Sequence, residues 1–357
     1  MQSEEIDFIV VGAGLAGCVL AHHLLLTNKK IIIVNNPQLS SCSQIAGGLY
    51  NPITGKKNLK TWSAEKIFPY LEDFYKKIES LTGINFLFPL PIIVPIQSIE
   101  EQNMMQGKTA DNEFQNIKIQ VNAPNPQLDI DNPLGTFTSN YSGYLDVELF
   151  VKTSWSYFEK LGIIISSNIS TEEIRFDEEI MTWKAYQFKK IIFCEGVQAI
   201  NNQLFNWLPF TPNKGELFKI KINDFDKKNI YRKKIFILPM ENGEYKCGST
   251  YVFNSTNEAI TEEGFNELSK HLEDLIKREY LVTNHLAGVR PAARDRRPFI
   301  GAHPKHKDIY IFNGLGSKGV SLAPYFAKEL TECLIHNAPI DKEVNIERYY
   351  HWYENQA

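Results

Sequence analysis

Ile6-Asp7-Phe8-Ile9-Val10-Val11-Gly12-Ala13-Gly14-Leu15-Ala16-Gly17 is the stretch on which the fold turns. A short, largely apolar run passes straight into G-x-G-x-x-G, Leu15 to Leu26 follows with helical character, and Lys30 to Val34 is a second apolar run. Parallel strands are buried on both faces and read as continuous apolar runs, so the pattern predicts a βαβ unit. There the glycine spacing has a mechanism. Gly12 permits the tight turn, Gly14 lets the backbone approach a pyrophosphate, and Gly17 lets helix and strand pack closely, while the first-turn N–H groups around Leu15 and Ala16 face the anion. The segment is therefore expected to hold a dinucleotide. An acidic residue is expected at the end of the second strand to accept from a ribose hydroxyl, but Asn35 and Asn36 stand there. A neutral amide accepts without charge assistance, and the lack of an arginine at this point argues against a 2′-phosphate. The rival phosphate loop at Thr54-Gly55-Lys56-Lys57 fails, because Tyr50 stands where a Walker loop needs Gly and Lys57 where it needs Ser or Thr.

The remaining composition is that of a folded globular chain: 357 residues, 43% hydrophobic and 22% charged, with a net charge of −4 at pH 7. That charge gives no field-driven reason to bind polyanions or membranes. The 5 cysteines are scattered without a C-x-x-C pair, which suits a reducing compartment, so a cytoplasmic location is expected. Glu4, Glu5 and Asp7 precede the first apolar run where a signal peptide would be basic.

Further elements are predicted by period. Thr61 to Leu81 and Val147 to Leu161 read as helices, and Ile163 to Ser167 and Lys190 to Cys194 as strands returning to the first sheet. Gly83 to Ile99 and Asn122 to Thr138 resemble short antiparallel strands joined by turns. Leu217 to Ile222, Ile235 to Pro239 and Tyr245 to Tyr251 alternate as antiparallel strands, with Asn242-Gly243 as a turn. Glu262 to Tyr280 reads as an amphipathic helix, Ile309 to Asn313 as a strand and Leu322 to Ile335 as a helix. The expected fold class is α/β: a Rossmann-like βαβ domain with a parallel sheet (1–82, 140–212 and 284–357), interleaved with an antiparallel-sheet α+β substrate domain (83–139 and 213–283).

Four more segments carry a resemblance. They are Ser40 to Pro52, Gly143-Tyr144-Leu145-Asp146, Ala287 to Asp295 with Pro298-Phe299-Ile300-Gly301, and Asn313 to Pro324. Taken in this order with the N-terminal glycines, they resemble the FAD-dependent D-amino-acid oxidase superfamily, which includes glycine and sarcosine oxidases, almost end to end. The resemblance implies non-covalent FAD, since Val289 to Asp295 lacks the cysteine to which sarcosine oxidases attach theirs. It implies cofactor contacts from Gly12, Gly14, Leu15, Ala16, Gly17, Asn35, Asn36, Ser41, Ala46, Gly47, Gly48, Leu49, Gly196, Arg290, Gly314, Gly316, Ser317, Lys318, Gly319 and Val320. A second glycine-rich helix N-terminus at Gly314, Gly316 and Gly319 suits the flavin edge that becomes negative on reduction, and Lys318 would add to it. Arg290 is similar to the arginine that clamps the substrate carboxylate, where a guanidinium fork binds bidentately. Lys246 is similar to a strand lysine near the flavin that assists oxygen.

The implied activity is FAD-dependent oxidation of a CH–NH or CH–NH2 donor, a small amine or amino acid of the glycine, sarcosine or D-amino-acid type. Hydride passes to flavin N5, the imine hydrolyses, and oxygen or another acceptor takes the electrons. A dehydrogenase with a non-oxygen acceptor is an alternative. Ala46 to Pro52 and Gly248-Ser249-Thr250-Tyr251 also resemble the oxidase half of enzymes that trim carboxymethylaminomethyl-uridine in tRNA. In that case Lys56, Lys57, Lys60, Arg294, Arg296, Arg297, Lys305 and Lys307 are the expected phosphate contacts. No metal site is expected: Pro304 opposes a helix that would converge His303 and His306.

Overall fold

A computed structural model describes residues 5–55, 57–176 and 180–355. Eight strands position the site: β1 (Glu5–Val11), β2 (Ile31–Asn35), β3 (Ile164–Ser166), β4 (Tyr186–Phe193), β5 (Asn213–Ile222), β6 (Tyr245–Gly248), β7 (Tyr280–Arg290) and β8 (Ile309–Asn313). The principal helices around the first sheet are α1 (Leu15–Leu26), α2 (Ala64–Thr82), α3 (Val147–Lys160) and α4 (Gly319–His336).

The parallel sheet runs in the order β3-β2-β1-β4-β8. From β1 the chain moves to β2 and β3 on one side, and β4 and β8 lie on the other. The order therefore reverses between β1 and β4, which is where ligands settle in such sheets. Residues of β1 alternate between two cores. Phe8 and Val10 pack among α1, α2, α3 and α4, and Ile9 and Val11 pack against Phe205, Trp207 and Phe299 on the opposite face. Buried on nearly every side, α1 includes His22 and His23 in its core. His22 Nε2 lies 3.0 Å from Ser154 Oγ and the His23 ring stacks 4.6 Å from Phe74. Burial pushes both imidazoles down to about 3.

The second sheet is antiparallel around its centre, where β5 pairs with β7 on one edge and β6 on the other. Beyond β6 come Phe236–Pro239, Ile230–Arg232 and Ile92–Pro95. The helix Glu262–Glu273 covers its back through Leu268 and Leu272. This layer departs from the sequence reading in several places. The helix stops at Glu273, and Tyr280 opens the strand β7. Among the described residues that strand pairs with β5 alone and is largely exposed along its first half, so the sequence lacks a continuous apolar run there. The strand expected from Tyr245 to Tyr251 breaks at Gly248 and resumes at Val252–Phe253. Between the two strand regions read from 83 to 138, Ile99–Ala110 forms a helix capped by Ser98. In the first sheet, Phe299–Ala302 adds an antiparallel strand to β8. Among the described residues, no helix is long and apolar enough to cross a membrane.

Candidate active site

The loop after β1 is shaped by backbone contact. Gly12 has φ +92°, and a Cβ there would stand 2.6 Å from Cys194 O; one on Gly17 would stand 1.8 Å from Gly12 O. These glycines bring strand, turn and helix closer than any side chain allows. Three side chains then brace the turn. Asn35 Oδ1 accepts from Ala13 N at 3.0 Å, Trp155 Nε1 donates to Ala13 O at 2.7 Å, and Ser43 Oγ accepts from Leu15 N at 3.0 Å. The first-turn N–H groups of Ala16 and Gly17 have no acceptor within the helix, so donors and helix dipole together fit a diphosphate. Asn36 is engaged locally, donating to Asn168 Oδ1 at 2.9 Å and accepting from Gln38 N at 2.9 Å.

The same corner joins the far end of the chain. Asn313 Nδ2 donates to Gly196 O at 2.9 Å and its Oδ1 accepts from Gly314 N at 2.8 Å. Gly316 N donates to Pro291 O at 3.1 Å, which ties the Gly314–Gly319 turn to the residue after Arg290. Glu195 lies beside Gly12 and accepts from Asn202 Nδ2 at 2.7 Å; burial pushes its carboxyl up to about 7. Its only signal in the sequence is a charge placed directly after an apolar strand and before a glycine.

The front of the second sheet meets the Ser41–Leu49 segment. A Cβ on Gly288 would stand 2.4 Å from Ile45 Cδ1, and one on Gly47 would stand 2.3 Å from Phe236 Cζ. Lys246, 2% exposed, donates Nζ to Ala46 O at 3.1 Å. It is thus an inward lysine rather than one on a solvated strand face. Burial pulls its ammonium below the ordinary lysine range, with Asp146 and Glu148 opposing. Lys318 Nζ donates to Thr54 Oγ1 at 3.3 Å, and burial followed by Arg297 and Arg296 lowers it too.

Arg290 ends β7 over the same face. Its Nη1 donates to Asn213 Oδ1 at 2.8 Å, its Nη2 to Ser249 Oγ at 2.5 Å, and its Cζ lies 4.4 Å from the centre of the Tyr251 ring. The guanidinium lies across Gly215, where a Cβ would stand 2.1 Å from Nη2. All three partners are uncharged, and burial lowers the Arg290 pKa from its ordinary value. Cys42 lies close by, its thiol pushed up to about 11 by burial. No local pattern marks Asn213 or Ser249 as a partner of Arg290: strand register brings the first to it and the turn after β6 the second.

Several residues of the basic rim have partners. Lys60 pairs with Glu65 at 3.2 Å and Arg297 with Glu343 at 3.0 Å, while Arg294 and Lys305 lie over Trp352 and Tyr353. Lys56 lies outside the described residues.

Residues 7–333 match the family model described as DAO, FAD dependent oxidoreductase. The chain is 22% identical over 357 residues to the bifunctional protein ThiO/ThiG of Trichormus variabilis, covering 92% of this chain and 52% of that protein. It is 20% identical over 383 residues to the tRNA 5-methylaminomethyl-2-thiouridine biosynthesis bifunctional protein MnmC of Actinobacillus pleuropneumoniae, covering 95% of this chain and 57% of the other. The chain thus spans about half the length of these relatives. Among solved structures, glycine oxidase from Geobacillus kaustophilus superposes with a TM-score of 0.78 at 16% identity, covering 94% of this chain and 96% of that one.

Proposed function

Because the chain belongs to the DAO family of FAD-dependent oxidoreductases, we propose that it oxidises a small carboxylate-bearing amine or amino acid of the glycine, sarcosine or D-amino-acid type. FAD, when bound, supplies the acceptor for hydride leaving the carbon next to nitrogen. The chain's own part is to hold and orient. Gly12, Gly14, Ala16 and Gly17 would receive the diphosphate, and Ala46 to Leu49 with Gly314 to Val320 would flank the ring. In this reading 1–82, 140–212 and 284–357 bind the cofactor, 83–139 and 213–283 shape the substrate side, and β7 carries the chain between them.

Arg290 carries the reading. A half-buried guanidinium whose partners among the described residues are Asn213, Ser249 and an aromatic ring keeps an uncompensated charge, and a carboxylate is the planar anion its fork matches. Fixing that carboxylate leaves the substrate only rotation about one bond, which orients the α-carbon. Lys246, which reaches Ala46 O from the sheet, would stabilise negative charge that develops during reoxidation. No protein nucleophile is required.

Anaerobic mixing of the yellow enzyme with glycine, sarcosine and D-amino acids tests this. Bleaching of the flavin absorbance by at least one of them, lost in Arg290→Met, is the expected result; no bleaching by any would overturn it. A second reading, trimming of a modified wobble uridine in tRNA, is favoured by the likeness to the tRNA-modifying relative across 95% of this chain. It predicts tRNA binding that weakens steeply with salt.

A further inference from the structure

On the back of β5, away from Arg290, Lys214 and Glu216 are buried together at 3% and 1% exposure, with Lys214 Nζ 2.8 Å from Glu216 Oε1. His285 Nε2 lies 2.8 Å from the other carboxylate oxygen. Thr261 donates its hydroxyl to Oε1 at 2.7 Å and its N–H to Oε2 at 3.0 Å. Helix Glu262–Glu273 is docked so tightly here that a Cβ on Gly264 would stand 2.4 Å from Oε2. Burial pushes the Glu216 carboxyl up, but Lys214 and Thr261 outweigh it and hold the group below its usual range. Replacing such a buried pair with apolar residues is often neutral or stabilising, so stability alone does not account for it.

Register offers another reason. With a period of two, Asn213 and Gly215 face Arg290 while Lys214 and Glu216 face the back. At the break after β6, Glu216 N donates to Thr250 Oγ1 at 2.9 Å and Thr250 N donates to Glu216 O at 3.1 Å. Thr250 lies between Ser249 and Tyr251, the two residues that meet Arg290. The largely exposed segment 251–260 then ends at Thr261, held by the Glu216 carboxylate. The main chain of Glu216 holds the Thr250 end, which Val252–Phe253 also secures by pairing with Asn213 and Lys214, and its carboxylate holds the Thr261 end.

We propose that Glu216 is a positioning residue that clasps both ends of the Thr250–Thr261 loop and so holds Ser249 and Tyr251 against Arg290, setting the carboxylate clamp from the reverse of the sheet. The proposal rests on the carboxylate role assigned to Arg290 and adds the element that tunes it.

The test uses the FAD-loaded enzyme, with glycolate as the carboxylate probe read by flavin absorbance, and hydrogen exchange over residues 249–253. Glu216→Gln is expected to weaken glycolate about tenfold and to speed exchange in that stretch, with FAD affinity unchanged. Because Glu216→Gln strands the Lys214 charge, the paired change Lys214→Met with Glu216→Leu separates folding from positioning. It is expected to keep the wild-type melting temperature within a few degrees yet still bind glycolate weakly and exchange fast. Wild-type glycolate affinity and exchange in the paired variant would overturn the proposal. If the unmodified enzyme shows no response to glycolate, the Arg290 reading fails instead, and the exchange measurement alone decides the clasp: protection unchanged in both variants sinks it.

Discussion

Glycine keeps space open on both sides of the candidate site, but for different occupants. At Gly17 a Cβ would stand 1.8 Å from Gly12 O, main chain against main chain, whereas at Gly215 it would stand 2.1 Å from Arg290 Nη2, the far end of a side chain. The first contact is fixed by a strand–turn–helix unit whose parts are adjacent in sequence. The second joins β5 to β7 and yields to a rotamer change. Gly12 and Gly17 therefore tolerate no added atom, while the sheet face is adjustable one side chain at a time. Cofactor capture and substrate choice should accordingly be separable by mutation.

Gly17→Ala bears on the first half and has the largest expected effect. The added methyl forces α1 off β1, an overpacking cost of about 3 kcal/mol that corresponds to about 100-fold weaker FAD binding. A near-colourless purified protein, with affinity measured by quenching of FAD fluorescence, is the outcome; a full flavin complement would break the comparison. Next comes Arg290→Met, which removes charge-assisted hydrogen bonds worth about 2 kcal/mol and should weaken glycolate about 30-fold with FAD content intact. Loss of flavin along with glycolate would show that the two sides are one unit.

Lys246→Met sharpens the contrast from the sheet side. Flavin content should hold, and reoxidation of the reduced enzyme by oxygen should slow about tenfold, a loss of about 1.4 kcal/mol. The sign with pH follows from burial, which lowers the Lys246 pKa from its ordinary value. The charged form assists, so the wild-type rate is high at low pH and falls as pH rises through a pKa below that of a free lysine. The Met variant should be slow and flat over the same range in stopped-flow absorbance, and a wild-type profile in the variant would remove Lys246 from the chemistry.

How much of this was legible differs between the two sides for the same reason. β1, α1 and β2 are readable because strand, turn and helix follow one another in sequence and Gly12, Gly14 and Gly17 stand where that unit needs them, whereas the contacts of Gly12 with Cys194 and of Ala13 with Trp155 come from outside it. Arg290 and Lys246 could be named by resemblance, but Asn213, Ser249 and Glu216 could not, since a period of two tells which face a residue takes and not which strand lies opposite. The helix read through to Tyr280 shows the limit in another form: half-exposed β7 becomes a strand by pairing with β5 along its length, a tertiary term absent from local pattern.

At Asn35 two roles compete. The fingerprint wants an acid there for a ribose hydroxyl, and a neutral amide accepts without charge assistance. In the structure Asn35 Oδ1 instead accepts from Ala13 N at 3.0 Å, inside the phosphate turn, so its oxygen supports the cradle. Losing that acceptor leaves the N–H of buried Ala13 unpaired, a cost of about 1 kcal/mol. Asn35→Leu should therefore weaken FAD only about fivefold, the smallest effect in the series, whereas Asn35→Asp keeps an acceptor at the same place and should lie within about twofold of wild type. Titration of apoprotein with FAD distinguishes the two roles. If Asp tightens binding tenfold while Leu changes nothing, the residue faces the ribose after all, and the cradle is held by Trp155 and Ser43 without it.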